Sequence, residues 1–244
     1  MLTAEDISLG GRLRHVSLGL RPGEVTAICG PNGAGKSSLL TCLAGLLAPD
    51  SGTVALEQQE LGGLAPRDRA RAIGYLPQQG EVAWNLSVET LVGLGRLPWN
   101  GSAEVDQAAV DAALRALDLQ DLRQRSVAQL SGGELARVLL ARVLAGEPRW
   151  ILADEPLANL DLAHQLTLLR QFRRLAGRGA GVCLVLHDLA QAMNHADRVI
   201  VLDRGTLAAD GPPAAALSEA VIEQVWKVRA RWLGEDGQRA LVAG

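Results

Sequence analysis

The chain has 244 residues, 48% of them apolar, and a net charge of −3; it can bury the core of one large or two small domains and carries no cationic surplus for a polyanion. Three cysteines (Cys29, Cys42, Cys183) are scattered in apolar segments, which argues for buried free thiols in a reducing compartment over disulfides or metal ligands. No charged-then-apolar leader opens the chain, and the longest uncharged run, 37–49, is too short for a bilayer, so the expectation is a soluble, cytoplasmic protein.

Leu2 to Leu20, with Val54 to Glu57, reads as short strands and turns, a small antiparallel sheet. Next comes an apolar stretch of strand length, Val25–Cys29. It runs into the octet Gly30-Pro31-Asn32-Gly33-Ala34-Gly35-Lys36-Ser37, which opens an apolar helical pattern, Lys36–Leu46. Strand, glycine-rich loop and helix are the setting of a phosphate-binding loop. The glycines let successive N–H groups turn inward onto phosphate oxygens, and the helix N-terminus adds its positive dipole end. Lys36 would reach the terminal phosphates, and Ser37 would set a hydroxyl on Mg²⁺. Lys36 and Lys227 are the only lysines among 24 basic residues, so the motif demands a rare residue and receives it.

Further along, strands are expected at Ala72–Leu76, Trp150–Ala153, Gly181–Leu186 and Val199–Leu202, and helices at Glu134–Ala145, Leu162–Ala176 and Ala190–His195. This alternation predicts a mostly parallel sheet covered on both faces. Gly205 to Gly211 reads as a hairpin with its return strand. Residues 87–125 carry helical periodicity broken by Gly95, Pro98 and Gly101, and are taken as a helical insertion.

Three further segments bear chemistry. Leu130-Ser131-Gly132-Gly133-Glu134 can be a plain capping box, Ser131 with Glu134. Its two adjacent glycines cost backbone entropy, however, and make sense where a ligand must approach the backbone closely. Trp150-Ile151-Leu152-Ala153-Asp154-Glu155 ends an apolar strand in two carboxylates at the edge where doubly wound sheets bind ligands. Asp154 can hold Mg²⁺ and Glu155 can polarise an attacking water. His187 and Gln78 follow strands in matching positions, within reach of a γ-phosphate, the metal or the water. His164 reads as a solvated helix residue.

The order of these elements resembles the nucleotide-binding subunit of ATP-binding-cassette (ABC) transporters over nearly the whole chain. In that family's terms the nucleotide-binding loop (Walker A) is Gly30, Pro31, Asn32, Gly33, Ala34, Gly35, Lys36 and Ser37, with Ser38 behind it. Gln78 is the Q-loop glutamine, Ser131, Gly132, Gly133 and Glu134 belong to the signature motif, and Asp154 ends Walker B. Glu155 is the catalytic carboxylate, Asp161 belongs to the D-loop and His187 is the switch histidine. The resemblance implies catalytic roles for Glu155, His187, Gln78 and Lys36, and Mg²⁺ held by Ser37, Gln78 and Asp154. It also implies a P-loop NTPase (RecA-like) α/β core with an antiparallel β subdomain (1–86 and 126–244) and an α-helical subdomain (87–125). Two copies are expected to pair head to tail, each ATP clasped between one copy's Walker A loop and the other's Ser131 and Gly133.

Finer similarity lies in Gly74-Tyr75-Leu76-Pro77-Gln78, Val88 to Arg96, Leu160 to Gln165 and Asp210-Gly211-Pro212-Pro213 with a short tail. It points to importers of iron–siderophore, haem or cobalamin. The implied partners are two membrane-spanning permease subunits and, indirectly, a substrate-binding protein, with the chain on the cytoplasmic face of the membrane and no nucleic acid bound. An exporter subunit, or a soluble ABC ATPase acting on nucleic acid or ribosomes, are the alternatives. One departure concerns adenine: no aromatic residue precedes Tyr75, so the base is expected on an aliphatic surface near Leu9-Gly10-Gly11 or on His15.

Overall fold

Apolar strands whose side chains alternate between two cores build the central sheet. The computed structural model describes residues 1–78, 86–158 and 160–244. In chain order its elements are β1 (Leu2–Leu9), β2 (Leu13–Leu20), β3 (Val25–Cys29), α1 (Lys36–Leu43), β4 (Ser51–Leu56), β5 (Gln59–Glu60), α2 (Pro66–Ala72), β6 (Ile73–Leu76), α3 (Val88–Gly93), α4 (Ala103–Ala116), α5 (Gly132–Ala145), β7 (Trp150–Asp154), α6 (Leu162–Gly177), β8 (Gly181–Val185), α7 (Leu189–His195), β9 (Arg198–Asp203), β10 (Thr206–Gly211), α8 (Pro213–Ala216), α9 (Glu219–Trp226), β11 (Ala230–Leu233) and β12 (Ala240–Ala243).

The main sheet runs β10-β9-β3-β8-β7-β6. Its pairings are parallel from β9 to β6, and β10 returns antiparallel along β9. On β3, Val25, Ala27 and Cys29 enter one core while Ile28 enters the other; on β8, Val182 and Leu184 oppose Cys183 and Val185. Such period-two burial on both faces is what a parallel sheet requires. The first core takes in the helices α3 to α7, with α3 and α4 packed on α5. The second is closed by α1 and by the antiparallel sheet β2-β1-β4-β5, Leu39, Leu40 and Leu43 meeting Leu2, Ile7 and Val16. The phosphate-loop strand is therefore central, and α1 lies between two sheets. The α/β fold with an antiparallel β sheet and a helical layer is the one the sequence predicts.

Boundaries shift for identifiable reasons. α1 ends at Leu43, not Leu46, because Gly45 takes a left-handed φ of +66° and Leu46 N–H bonds back to Thr41 O, a glycine helix stop. α2 is absent from the sequence reading; Pro66 begins it and its short polar surface gives no apolar stripe. The C-terminal segment is more than a tail. Trp232 Nε1 donates to Leu217 O at 2.7 Å, and Asn194 exchanges two 2.8 Å bonds with the backbone of Arg239, so the β11–β12 hairpin is fastened to α7.

Among the described residues Phe172, on α6, is a large side chain with no exposed surface. Phe172→Ala should lower stability by about 3–5 kcal/mol, seen as a reduced urea midpoint. A loss under about 1 kcal/mol would mean that the site collapses without a cavity.

Candidate nucleotide site

β3 is buried along its length, and at Cys29 the chain must turn sharply to leave the sheet. Gly30 does so at φ +152°, and a Cβ there would lie 2.3 Å from the Leu202 carbonyl oxygen on β9. Gly35, at φ +100°, would set its Cβ 2.4 Å from the Arg12 carbonyl oxygen. Neither the conformation nor the space admits a side chain. Lys36 folds back over the loop, its Nζ donating to Gly30 O (2.9 Å) and Pro31 O (3.0 Å). Burial holds the Lys36 ammonium below its usual pKa, opposed by the nearby Glu155, Cys29 and Asp154. The loop is thus held by the chain around it, with α1's first turn free of side-chain caps.

Asp154 ends β7 almost fully buried, and its Oδ1 has no hydrogen-bond partner. Burial, then the charge of Glu155, push its carboxyl up, while Ser37, Lys36 and His187 beside it pull the other way. A buried, unpaired carboxylate oxygen next to a hydroxyl suits a hard cation, and with the Gln78 amide oxygen the set fits Mg²⁺. Among the described residues no group of three or more His, Cys, Asp or Glu could hold a metal.

Glu155 takes a left-handed φ of +50°, a conformation costly for a residue with a side chain. Its carboxylate points back across the strand ends. One oxygen meets His187 Nε2, and the other accepts from Gln78 Nε2 at 2.5 Å. The three residues follow β7, β8 and β6, adjacent parallel strands, so one sheet edge assembles them.

A cleft of about 740 Å³ opens there, lined by Arg12, Asn32, Gly33, Ala34, Gly35, Lys36, Ser37, Ser38, Gln78, Glu155 and His187. Asp154, Gly30 and Pro31 are not among its lining residues; Asp154 is buried beside Ser37 and Lys36, and Gly30 and Pro31 supply the carbonyls that hold Lys36. Ser131, Gly132, Gly133, Glu134 and Asp161 are not among its lining residues. Ser131 caps α5 in a full capping box, its N–H donating to Glu134 Oε2 (2.7 Å) and its Oγ accepting from Glu134 N (3.3 Å). Asn159, two residues before Asp161 of the expected D-loop, lies outside the described residues, as do 79–85.

His15 does not line the cleft; its ring bonds Asp6 at 2.9 Å in a largely exposed pair. Arg12 lines it instead, and the sequence reading missed it. Its backbone is wedged between Gly35 and Gly205, each of which would drive a Cβ into the Arg12 carbonyl. Nothing in one dimension sets this arginine apart from the rest, since its place depends on contacts with β3's loop and the β9–β10 turn.

A phosphate loop on a buried central strand, with two carboxylates ending the strand beyond its neighbour, defines a P-loop NTPase. The ABC transporter family matches residues 13–158. Curated relatives include the Hemin import ATP-binding protein HmuV of Rhodococcus jostii, 44% identical over 90% of this chain and 77% of the relative. The protein of that name in Rhizobium meliloti is 39% identical over 95% and 93%. Among solved structures, the dimeric bacterial ABC transporter cassette MJ0796 superposes with a TM-score of 0.79 at 27% identity, covering 87% of this chain and 99% of that one. The chain belongs to the ABC transporter family. It is an ATPase that couples hydrolysis to transport.

Two outcomes follow from the site. Arg12→Ala should raise the ATP dissociation constant about two- to fivefold, the worth of an exposed cation–π contact; an unchanged constant in a fluorescence titration removes Arg12 from nucleotide binding. The raised Asp154 pKa makes its charge a stability cost, starting above the unfolded pKa and complete above the folded one. Asp154→Asn should therefore raise the melting temperature of nucleotide-free protein at about pH 8, the gain shrinking as pH falls through the folded pKa. A lower melting temperature there contradicts the assignment of Asp154 as a strained, charge-bearing group.

Proposed function

We propose that this chain is the ATP-hydrolysing subunit of an importer for haem, acting as a head-to-tail homodimer. It would sit on the cytoplasmic face of the membrane beneath two membrane-spanning permease subunits supplied by a substrate-binding protein. Among the described residues no helix is long and apolar enough to cross a membrane, so the pathway would belong to other subunits. Haem is favoured within the iron–siderophore, haem and cobalamin group because the relatives described above carry hemin import in their names.

One observation carries the reading. The cleft holds the phosphate loop, Glu155, His187 and Gln78, while the glycine-bearing Ser131 turn stands outside it at a helix N-terminus. A turn suited to an anion, remote from its own chain's nucleotide, is a half-site that a second copy completes. Mg²⁺ held by Ser37, Asp154 and Gln78 would neutralise charge on the β- and γ-phosphates. Lys36 would follow the γ-phosphate, leaving the carbonyls of Gly30 and Pro31 that hold it here. Glu155 would polarise the attacking water: each of its oxygens already has one partner, and a remaining lone pair on either can accept the water. His187 would then turn to the γ-phosphate. Gln78 follows β6, the edge strand of the sheet, from where it would relay nucleotide state to a docked permease helix.

Glu155→Gln should preserve ATP binding, lower turnover by about 10²–10⁴-fold and accumulate an ATP-loaded dimer in gel filtration. Near-normal turnover in that variant would remove Glu155 from its role. For the cargo, the complete transporter in lipid vesicles should hydrolyse ATP faster with haem-loaded binding protein, and haem should accumulate inside. Stimulation by cobalamin or a ferric siderophore alone overturns the haem assignment, and outward movement overturns import.

A further inference from the structure

His164, expected to be a solvated helix residue, lies flat against the Ser131 turn. A Cβ built on Gly133 would fall 2.9 Å from its Cγ and Cδ2 and 3.1 Å from its Nδ1. A Cβ on neighbouring Gly132 meets nothing within 4 Å. Gly133 has no left-handed φ to account for it, so within this chain the imidazole is what a side chain at 133 would displace. The ring is fixed from its other side by Asp161, the N-cap of α6. That carboxylate accepts from the His164 backbone N–H at 2.9 Å and from Nδ1 at 2.8 Å. An ionised carboxylate only accepts, so Nδ1 carries the proton.

Gln165, the next residue, reaches the opposite way. Its Nε2 donates to Leu157 O (3.2 Å) and Leu160 O (3.0 Å), two and five residues beyond Glu155. Its Oε1 accepts from Gln191 Nε2 on α7 at 2.8 Å. α7 is capped by Asp188, which bonds Ala190 N and Gln191 N and directly follows His187. One turn of α6 therefore touches the loop after Glu155, the helix after His187, and the Ser131 turn.

We propose that His164 and Gln165 are positioning residues that tie a protomer's own nucleotide cleft to the Ser131–Gly133 turn with which it would close its partner's cleft. The inference rests on the head-to-tail reading above and adds the linkage within each chain. Neither side chain lines the cleft. Release of Glu155 or a turn of His187 shifts the Leu157 and Leu160 carbonyls or α7. Gln165 passes that shift to α6, and His164 cannot follow without moving the glycine backbone on which it is packed. The two ATP sites of a dimer then respond to one another, each protomer reporting its own occupancy to the other's site.

The test compares full-length wild type, His164→Ala, His164→Asn and Gln191→Ala. Binding of a fluorescent ATP analogue to dilute protein in EDTA reads each chain's own cleft, and ATP-dependent turnover gives kcat, KM and the Hill coefficient. Wild type should hydrolyse ATP with a Hill coefficient above one. His164→Ala should leave analogue affinity unchanged, lower kcat about three- to thirtyfold and abolish cooperativity. His164→Asn, which keeps a donor and a planar group toward Asp161 and Gly133, should recover much of the loss. The double variant His164→Ala/Gln191→Ala should be no worse than His164→Ala, since both break one linkage.

Four results overturn the proposal: a non-cooperative wild type, unchanged cooperativity in His164→Ala, parallel loss of analogue affinity, or losses that multiply in the double variant. A wild type that neither hydrolyses ATP nor pairs on binding it would instead defeat the head-to-tail reading itself.

Discussion

A buried strand that must deliver bare backbone N–H groups into an open cleft is the constraint from which the rest of this structure follows. β3 has no exposed face, so its chain can leave the sheet only through a loop pressed between neighbours: the Leu202 carbonyl on one side and the Arg12 carbonyl on the other. Those contacts make Gly30 and Gly35 obligatory and leave the loop little freedom. A cradle held by its surroundings does not need to be ordered by the ligand, which is the advantage of preorganisation in binding and in charge stabilisation. Arg12 belongs to this arrangement twice, through a carbonyl that closes the loop and as a residue of the cleft lining.

Around the cradle the ordinary rules of folding are broken several times within a few residues. Lys36 is a buried ammonium held by carbonyls, Asp154 has an unpaired buried oxygen, and Glu155 holds a left-handed backbone. Each of these costs stability, and they cluster at the cleft. The large two-faced core supplies the stability that offsets them. The same logic explains why two groups clasp Glu155: a carboxylate at the mouth of a cleft is kept aimed by partners that a water or phosphate can replace.

The Ser131 turn follows a different principle. In this chain it is a well-made helix cap, satisfied by Glu134 and backed by His164, and on its own it needs nothing more. It lies outside the cleft, which is where the proposed head-to-tail pairing would use it. Gly132 keeps an open face, whereas Gly133 is filled from within the chain. The two glycines, alike in sequence, are there for separate physical reasons.

Much of this was legible in one dimension. The octet 30–37, the carboxylate pair after β7 and the period-two strands announce themselves because phosphate loops and buried strands impose local patterns of glycine and apolar residues. Helix α2 and the C-terminal hairpin did not, since α2 has no apolar stripe and the hairpin is held by Asn194 and Leu217 from other parts of the chain. Arg12, the contact of His164 with Gly133, and the Gln191–Gln165 bond were equally hidden. The sequence determined the class of chemistry, because local backbone demands fix residue types at fixed spacings. Only the tertiary structure decided which arginine meets the cleft, which histidine stays in solvent and which packs on a glycine, because those outcomes depend on distances between segments far apart along the chain.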